Sequence, residues 1–179
     1  MTERVMVDLE TLGTDPGAVI LSIGAVRFDE VGLSDEFYKN VSIQSCVDAG
    51  LEIDADTLDW WLGQDDEVQD VLQGGVRLSK ALAHFSAFYR GADEIWAFSP
   101  TFDCQILSAA YDAIDEPTPW NYRDERDCRT LAALPAAADV EQQGDAHDAL
   151  DDAVYQARTV VETLDRLDTN SEGGESDGE

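Results

Sequence analysis

Two carboxylates stand one residue apart in the stretch VMVDLET, at the end of an apolar run that is typical of a buried strand. Asp8 and Glu10 should point to the same face of a regular strand, because side chains alternate between its faces. Two carboxylates that close repel each other unless a cation lies between them. Hard oxygen ligands at this spacing suit Mg²⁺ or Mn²⁺. The pair therefore indicates either a divalent metal site or, in a chain with 39 acidic residues, an exposed strand end that carries two acids by chance.

A third acid, Asp103, follows the predicted strand EIWAF and lies in the first turn of a predicted helix. Ligands of α/β proteins gather at the ends of strands, so this position suits a site residue. The alternative is an acid that only stabilises the positive end of the helix dipole.

The stretch GDAHDALDDAV supplies a histidine and several further acids. His147 precedes a predicted helix between small and acidic residues, where an accessible imidazole could act as a general base. Asp152 lies five residues later, which is about 140° of rotation on a helix. The two side chains can share a site only if His147 lies at or before the first turn. Asp148 is the rival of Asp152 as a ligand.

Strands and helices must position these groups, and the apolar periodicity predicts both. The predicted strands cover residues 4–8, 18–28, 36–43, 94–98 and 120–122. The predicted helices cover 54–64, 65–73, 78–91, 101–114, a segment that begins around Asp127, and 147–167. A three-strand meander followed by strand–helix units predicts an α/β domain with a mixed central sheet and helices on both faces. This domain should span residues 1–167, and the polar, glycine-rich residues 168–179 should form a disordered acidic tail.

The charge is extreme, with 39 acidic and 11 basic residues and a net charge of −28. The electrostatic field of such a charge repels polyanions at ordinary salt. Two explanations of the acidity are open: a function that needs it, or adaptation to a very salty cytoplasm. The acids are scattered over all predicted elements and only two lysines are present, Lys39 and Lys80. This distribution favours the salty cytoplasm, as in haloarchaea or their viruses, where the Debye length falls to about 3 Å at 1 M salt.

Other compositional features predict a cytoplasmic protein. No apolar stretch reaches the roughly 18 residues of a membrane span, and the first ten residues lack the features of a signal peptide. The three cysteines, Cys46, Cys104 and Cys128, contain no CxxC pair. They are therefore expected to be buried thiols and not zinc ligands or a disulfide framework.

Taken together, Asp8-x-Glu10, Asp103 after a strand and His147-x₄-Asp152 resemble the DEDDh pattern of 3′–5′ exonucleases with a ribonuclease H-like, DnaQ-like fold. That superfamily includes the proofreading subunits of DNA polymerases and the oligoribonucleases. The stretch VMVDLETLGTDPGAVILSIGAVRF, with LDWWLGQ and RDCRTL, is similar to a phage-type exonuclease group with actinobacterial exoribonuclease relatives. The resemblance covers roughly residues 4–165.

The resemblance implies a nuclease that uses two Mg²⁺ or Mn²⁺ ions to hydrolyse single-stranded nucleic acid from its 3′ end and to release 5′-mononucleotides. The implied metal ligands are Asp8, Glu10, Asp103 and Asp152. His147 would take the proton of the attacking water. RNA or short oligonucleotides are slightly favoured over DNA by the nearer relatives.

The resemblance also implies substrate contacts for Thr11, for Leu12 as a wedge beside the last base, and for Phe102. An indole of the Trp60–Trp61 pair could stack on a base, and Trp61 is the candidate. Adjacent helical residues face about 100° apart, so at most one can do so, and a buried tryptophan that anchors the helix is the alternative.

Arg123, Arg126 and Arg129 form a cluster that could contact backbone phosphates, or could simply pair with the acids between them. The chain departs from the family at Ser99, where many relatives carry an asparagine.

Two other functions stay open from the sequence: an inactive ribonuclease H-like module that binds nucleic acid or protein, and an acidic mimic of DNA. The sequence also leaves open the biological role and the oligomeric state, a homodimer included.

Overall fold

The structure is a computed structural model that describes residues 1–65, 69–144 and 147–172, with side chains described as far as Thr169. Its centre is a five-stranded sheet with the strand order β3-β2-β1-β4-β5. The strands are β1 (Arg4–Thr11), β2 (Ile20–Phe28), β3 (Leu33–Asn40), β4 (Glu94–Ala97) and β5 (Glu125–Asp127). β1, β2 and β3 pair antiparallel as a meander, whereas β4 and β5 run parallel to β1. The predicted mixed sheet is therefore confirmed.

Six α-helices surround this sheet in the described part of the chain. They are α1 (Ile43–Asp48), α2 (Ala55–Leu62), α3 (Leu78–Tyr89), α4 (Asp103–Asp112), α5 (Cys128–Ala132) and α6 (Ala149–Glu172). Two single turns of 3₁₀ helix, Asp70–Leu72 and Tyr122–Asp124, lie between them. Residues 66–68 of the helix predicted at 65–73 lie outside the described residues.

Each face of the sheet has its own apolar core, because side chains alternate along every strand. On one face Val7 belongs to the larger core, which includes Leu82 of α3 and Leu107 of α4. On the other face Met6 packs in a smaller core with Ala157 and other residues of α6. The predicted helices on both faces are confirmed, and the smaller core lies between α6 and the face of β1 that carries Asp8 and Glu10.

The fifth strand is where the sequence-based prediction was wrong. The prediction placed it at Trp120–Tyr122, but Glu125–Asp127 pairs with β4 instead. Asn121 caps the 3₁₀ turn that follows it, since its side chain accepts a hydrogen bond from the Arg123 amide at 3.0 Å. Trp120 is buried among Phe85, Tyr89 and Tyr111. Trp120 therefore fills the core and forms no strand, and Tyr122 is exposed.

Several boundaries also differ from the predictions. β1 continues to Thr11 and so includes both Asp8 and Glu10. β3 ends at Asn40, since Ser42 caps α1 by accepting from the Ser45 amide. The last helix begins at Ala149 and continues to Glu172, past the predicted boundary at residue 167. Residues 173–179 of the predicted disordered tail lie outside the described residues.

The three cysteines are buried and free of disulfide bonds, and burial raises the pKa of each thiol. Among the residues that the structure describes, no helix is both long enough and apolar enough to cross a bilayer.

Candidate active site

Three carboxylates from two distant parts of the chain meet at the end of β1. Asp8 and Glu10 lie on the same face of this strand, opposite Gly24 and Ser22 of β2. Asp152 approaches from the first turn of α6. One carboxylate oxygen from each of the three lies within 4.8 Å of the others. This separation suits the oxygen ligands of a divalent cation.

The start of α6 decides which of the neighbouring acids joins this group. The Asp148 carboxylate caps the helix, because its Oδ1 accepts the amide hydrogens of Leu150 at 2.9 Å and Asp151 at 3.1 Å. A capping carboxylate accepts hydrogen bonds from backbone amides that have no partner within the helix. Asp152, one turn later, is the acid of the group of three. The geometry therefore favours Asp152 over its rival Asp148.

A glycine in β2 lets α6 come this close. A Cβ added to Gly24 would overlap the backbone of Ala149 and Leu150. Gly24 also lies directly opposite Asp8 in the register of β1 and β2. Glycine at this position thus brings the helix that carries Asp152 against the strand that carries Asp8.

Asp103 lies beside this group but outside the three atoms that converge. It is the first residue of α4, separated from β4 by residues 98–102, and only 3% of its surface is exposed. Its Oδ1 accepts the amide hydrogen of Leu9 at 3.2 Å. Because Leu9 lies between Asp8 and Glu10, this bond ties the buried carboxylate to the part of β1 that carries the other acids.

Burial raises the pKa of all four acids, and the charges of neighbouring acids add to this at Asp8, Glu10 and Asp152. Burial and the charge of Asp103 hold the pKa of Asp8 well above its usual range. Burial, followed by the charges of Asp152 and Asp148, raises the pKa of Glu10 to about 8. Burial raises the pKa of Asp103 to about 7, against the lowering effect of the Leu9 amide. Burial also raises the pKa of Asp152. A cation would relieve this repulsion, so the donor set fits a divalent metal ion.

Two glutamines that sequence reasoning missed hold these carboxylates. Gln156 Nε2 donates to Asp8 Oδ1 at 2.7 Å, and Gln142 Nε2 donates to Asp152 Oδ1 at the same distance. Gln156 is buried, and its Oε1 has no hydrogen-bond partner among the described residues. It lies four residues after Asp152 and so on the same face of α6. That spacing is the sequence signal that could have identified it.

His147 precedes α6, as a shared site with Asp152 requires. Its backbone is in the left-handed region with φ of 66°, and its ring is exposed. The ring meets Trp60 edge to face, with 4.9 Å between the centroids. The charge of His147 lowers the pKa of Asp152.

The sequence left undecided which tryptophan is accessible for stacking on a base and which one anchors the helix, and the structure distinguishes them. Trp61 is 2% exposed, and its Nε1 donates to the Thr11 carbonyl at 2.9 Å. Trp60 is 43% exposed beside His147. Trp61 therefore anchors α2 to the end of β1, and the accessible indole is that of Trp60 and not, as predicted, that of Trp61.

The residues predicted to contact substrate differ in accessibility. Thr11 is buried, and its hydroxyl donates to the Gly13 carbonyl at 2.6 Å. Leu12 is fully buried in the larger core, so a contact with a base would require this part of the chain to move. Phe102 is half-buried and lines a cavity of about 270 Å³. This cavity is also lined by Asp8, Asp103, Gln156, Phe98 and Arg129.

The three clustered arginines do not form one surface. Arg126 forms an ion pair with Glu94 at 3.0 Å. The Arg123 guanidinium lies over the ring of Tyr122 at 5.5 Å. Of the three, only Arg129 lines the cavity next to Asp8 and Asp103.

Residues 3–164 match the family model of the Rv2179c-like 3′-5′ exoribonuclease domain. A search of curated proteins gives no match in sequence.

Solved structures share the fold at low sequence identity. The nuclease domain of 3′hExo, a DEDDh family member bound to rAMP, has a TM-score of 0.66 at 13% identity, over 91% of this chain and 92% of that one. Exonuclease I of E. coli, in complex with an oligonucleotide, has a TM-score of 0.62 at 14% identity, over 97% of this chain but only 42% of that one. Exonuclease X, in complex with 5′ overhanging duplex DNA, has a TM-score of 0.55 at 17% identity, over 94% and 93% of the two chains.

Proposed function

Since the chain belongs to the family of Rv2179c-like 3′–5′ exoribonuclease domains and is thereby a metal-dependent 3′–5′ exonuclease, we propose that it removes 5′-mononucleotides from the 3′ end of single-stranded RNA or short oligonucleotides. The observation that carries this proposal is the convergence of Asp8, Glu10 and Asp152 within 4.8 Å at the end of β1. The family description supports RNA as the substrate, as does the rAMP bound to the DEDDh nuclease domain of similar fold.

The carboxylates would hold the divalent ions, Mg²⁺ or Mn²⁺, on which this activity depends. Asp8, Glu10 and Asp152 form the group that converges, and Asp103 would complete the set from the buried side. When bound, a pair of such ions would supply an activated water and stabilise the charge on the leaving oxygen. Gln156 would keep Asp8 in the orientation needed for binding, through the bond of 2.7 Å.

His147 would take the proton of the attacking water on a ring nitrogen and pass it to solvent. Its exposed ring allows this exchange, and the edge-to-face contact with Trp60 limits its rotation. Proton transfer by a positioned histidine contributes typically about 10²–10⁴-fold to a rate.

The direct test uses a single-stranded oligoribonucleotide labelled at its 5′ end. With Mg²⁺ or Mn²⁺ we expect a ladder that shortens from the 3′ end, with 5′-mononucleotides as the product. The deoxyribonucleotide of the same sequence should be cleaved with a lower kcat/KM. Release of 3′-mononucleotides, or preference for DNA, would contradict the respective part of the proposal.

Variants of β1, α4 and α6 test the proposed ligands. Asp152→Asn should abolish cleavage, and Asp8→Asn and Asp103→Asn should do the same. Asp165→Asn is the matched control, since Asp165 is exposed on the same helix and undergoes the same change of charge. Full activity in Asp152→Asn would overturn the proposed ligand set. Absence of cleavage by the wild-type chain with any divalent ion would favour the inactive binding module or the acidic DNA mimic.

A further inference from the structure

The cavity beside the carboxylates has a single basic wall. We infer that Arg129 binds the backbone phosphate on the 5′ side of the scissile bond, and this inference deepens the proposed function and rests on it. Asp8 and Asp103 line one part of the cavity, and Arg129 and Phe98 line another. Among the described residues that line it, Arg129 is the only one with a positive charge.

The position of Arg129 is fixed by the backbone around it. It is the second residue of α5, and its amide donates to the carbonyl of Phe98 at 3.1 Å. The Asp127 side chain caps the same helix by accepting from the Thr130 amide at 2.7 Å. The start of α5 is therefore tied to the chain just after β4, close to the acid that begins α4.

The guanidinium of Arg129 is held against a ring, and its charge lowers the pKa of the neighbouring Asp103. The guanidinium lies over the Phe98 ring at 5.3 Å from the centroid, which is a cation–π distance. None of the ion pairs found in the described part of the chain includes it, whereas Arg126 is paired with Glu94. Stacking on a ring leaves the N–H edge of a guanidinium available, and that edge matches two phosphate oxygens.

The charge of the protein makes this one cation important. The net charge is −28, so the chain repels a polyanion, and the site itself carries four carboxylates. Cations held by the carboxylates would contact the scissile phosphate. Arg129 is then available to bind the neighbouring phosphate. In an enzyme that releases single 3′-terminal nucleotides, the scissile linkage is the last one in the strand. Its only neighbouring phosphate therefore lies on the 5′ side.

The test combines a change in the protein with a change in the substrate. Arg129→Ala should raise KM for a short oligoribonucleotide by about tenfold with a smaller change in kcat, since a hydrogen bond to a charged group is lost. Arg129→Lys should recover part of this loss, because it restores the charge without the planar edge. Arg90→Ala is the matched control, with the same change of charge at an exposed residue. The Arg90 carbonyl accepts a hydrogen bond from Arg27, and Arg27 pairs with Glu3 just before β1 begins. Arg90 therefore lies near the end of β1 that is opposite to Glu10.

A neutral methylphosphonate at the linkage next to the scissile one locates the contact. In the wild-type enzyme it should raise KM about as much as Arg129→Ala does, and in Arg129→Ala it should add little. An equal penalty in both proteins would overturn the inference, as would equal KM values for Arg129→Ala and Arg90→Ala. Wild-type cleavage of the unmodified strand is measured in the same experiment, so failure of the proposed function is recognised separately.

Discussion

Replacing Glu10 with glutamine should stabilise the metal-free protein while it abolishes metal-dependent cleavage. Burial, followed by the charges of Asp152 and Asp148, raises the pKa of Glu10 from 4.5 to about 8. When the pKa of a carboxyl is higher in the folded state than in the unfolded state, the protonated form is more favourable to folding than the ionised form. That contribution is fully present below about pH 4.5 and is lost as the pH rises through about 8.

The size of the effect follows from these two values. At pH 7 the unfolded chain has lost the Glu10 proton, whereas the folded chain still holds most of it. The pH then lies about 2.5 units above the unfolded pKa, and each unit corresponds to 1.36 kcal/mol, which gives about 3 kcal/mol of lost stability. Relaxation of the site and water entry reduce this figure, so we expect about 1–3 kcal/mol from the neutral side chain.

Urea unfolding in EDTA measures this difference, in about 1 M KCl to screen the general repulsion. Glu36→Gln is the control, since Glu36 is exposed on β3 and undergoes the same change of charge. Glu10→Gln should be the more stable variant at pH 7, and the difference should shrink to less than about 1 kcal/mol near pH 5. Saturating Mg²⁺ should stabilise the wild type more than Glu10→Gln, because the ion binds only the folded site. Equal stability of the two variants in EDTA at pH 7 would refute the reasoning.

Three further predictions concern the approach of α6, the proton acceptor and the salt. Gly24→Ala should lower the free energy of unfolding by about 1–3 kcal/mol and reduce cleavage, because the new Cβ displaces the Ala149 backbone and Asp152 with it; unchanged urea midpoint and rate would contradict this. His147→Ala should reduce kcat by about 10²–10⁴-fold while calorimetry still detects metal binding; lost metal affinity would instead identify a ligand. With a net charge of −28, the enzyme should melt at a higher temperature and cleave faster in about 1 M KCl than at about 0.1 M; a rate that falls steadily with salt, in a fold stable at low salt, would require a functional reason for the acidity.

The elements that the sequence predicted well are those whose pattern is local. Alternation along β1 predicted that Asp8 and Glu10 share a face, and the amphipathic stripe of α3 predicted a helix. The fifth strand was mispredicted, because the apolar character of Trp120 is satisfied by core packing and not by a strand. Three residues give too little periodicity to separate these two outcomes.

For the site, the sequence by itself determined that Asp8 and Glu10 share a face of β1 and that a helix starts just after His147, but it left Asp148 and Asp152 as rivals. These depend on side-chain alternation and helix capping, which act over a few residues. Only the tertiary structure decided that Trp60 and not Trp61 is accessible, that Arg129 alone of its cluster reaches the cavity, and that Gln156 holds Asp8. Gln156 and Asp8 are 148 positions apart, and they meet because Gly24 lets α6 pack against the sheet. Contacts of this kind depend on how distant elements pack together, which no pattern of neighbouring residues encodes.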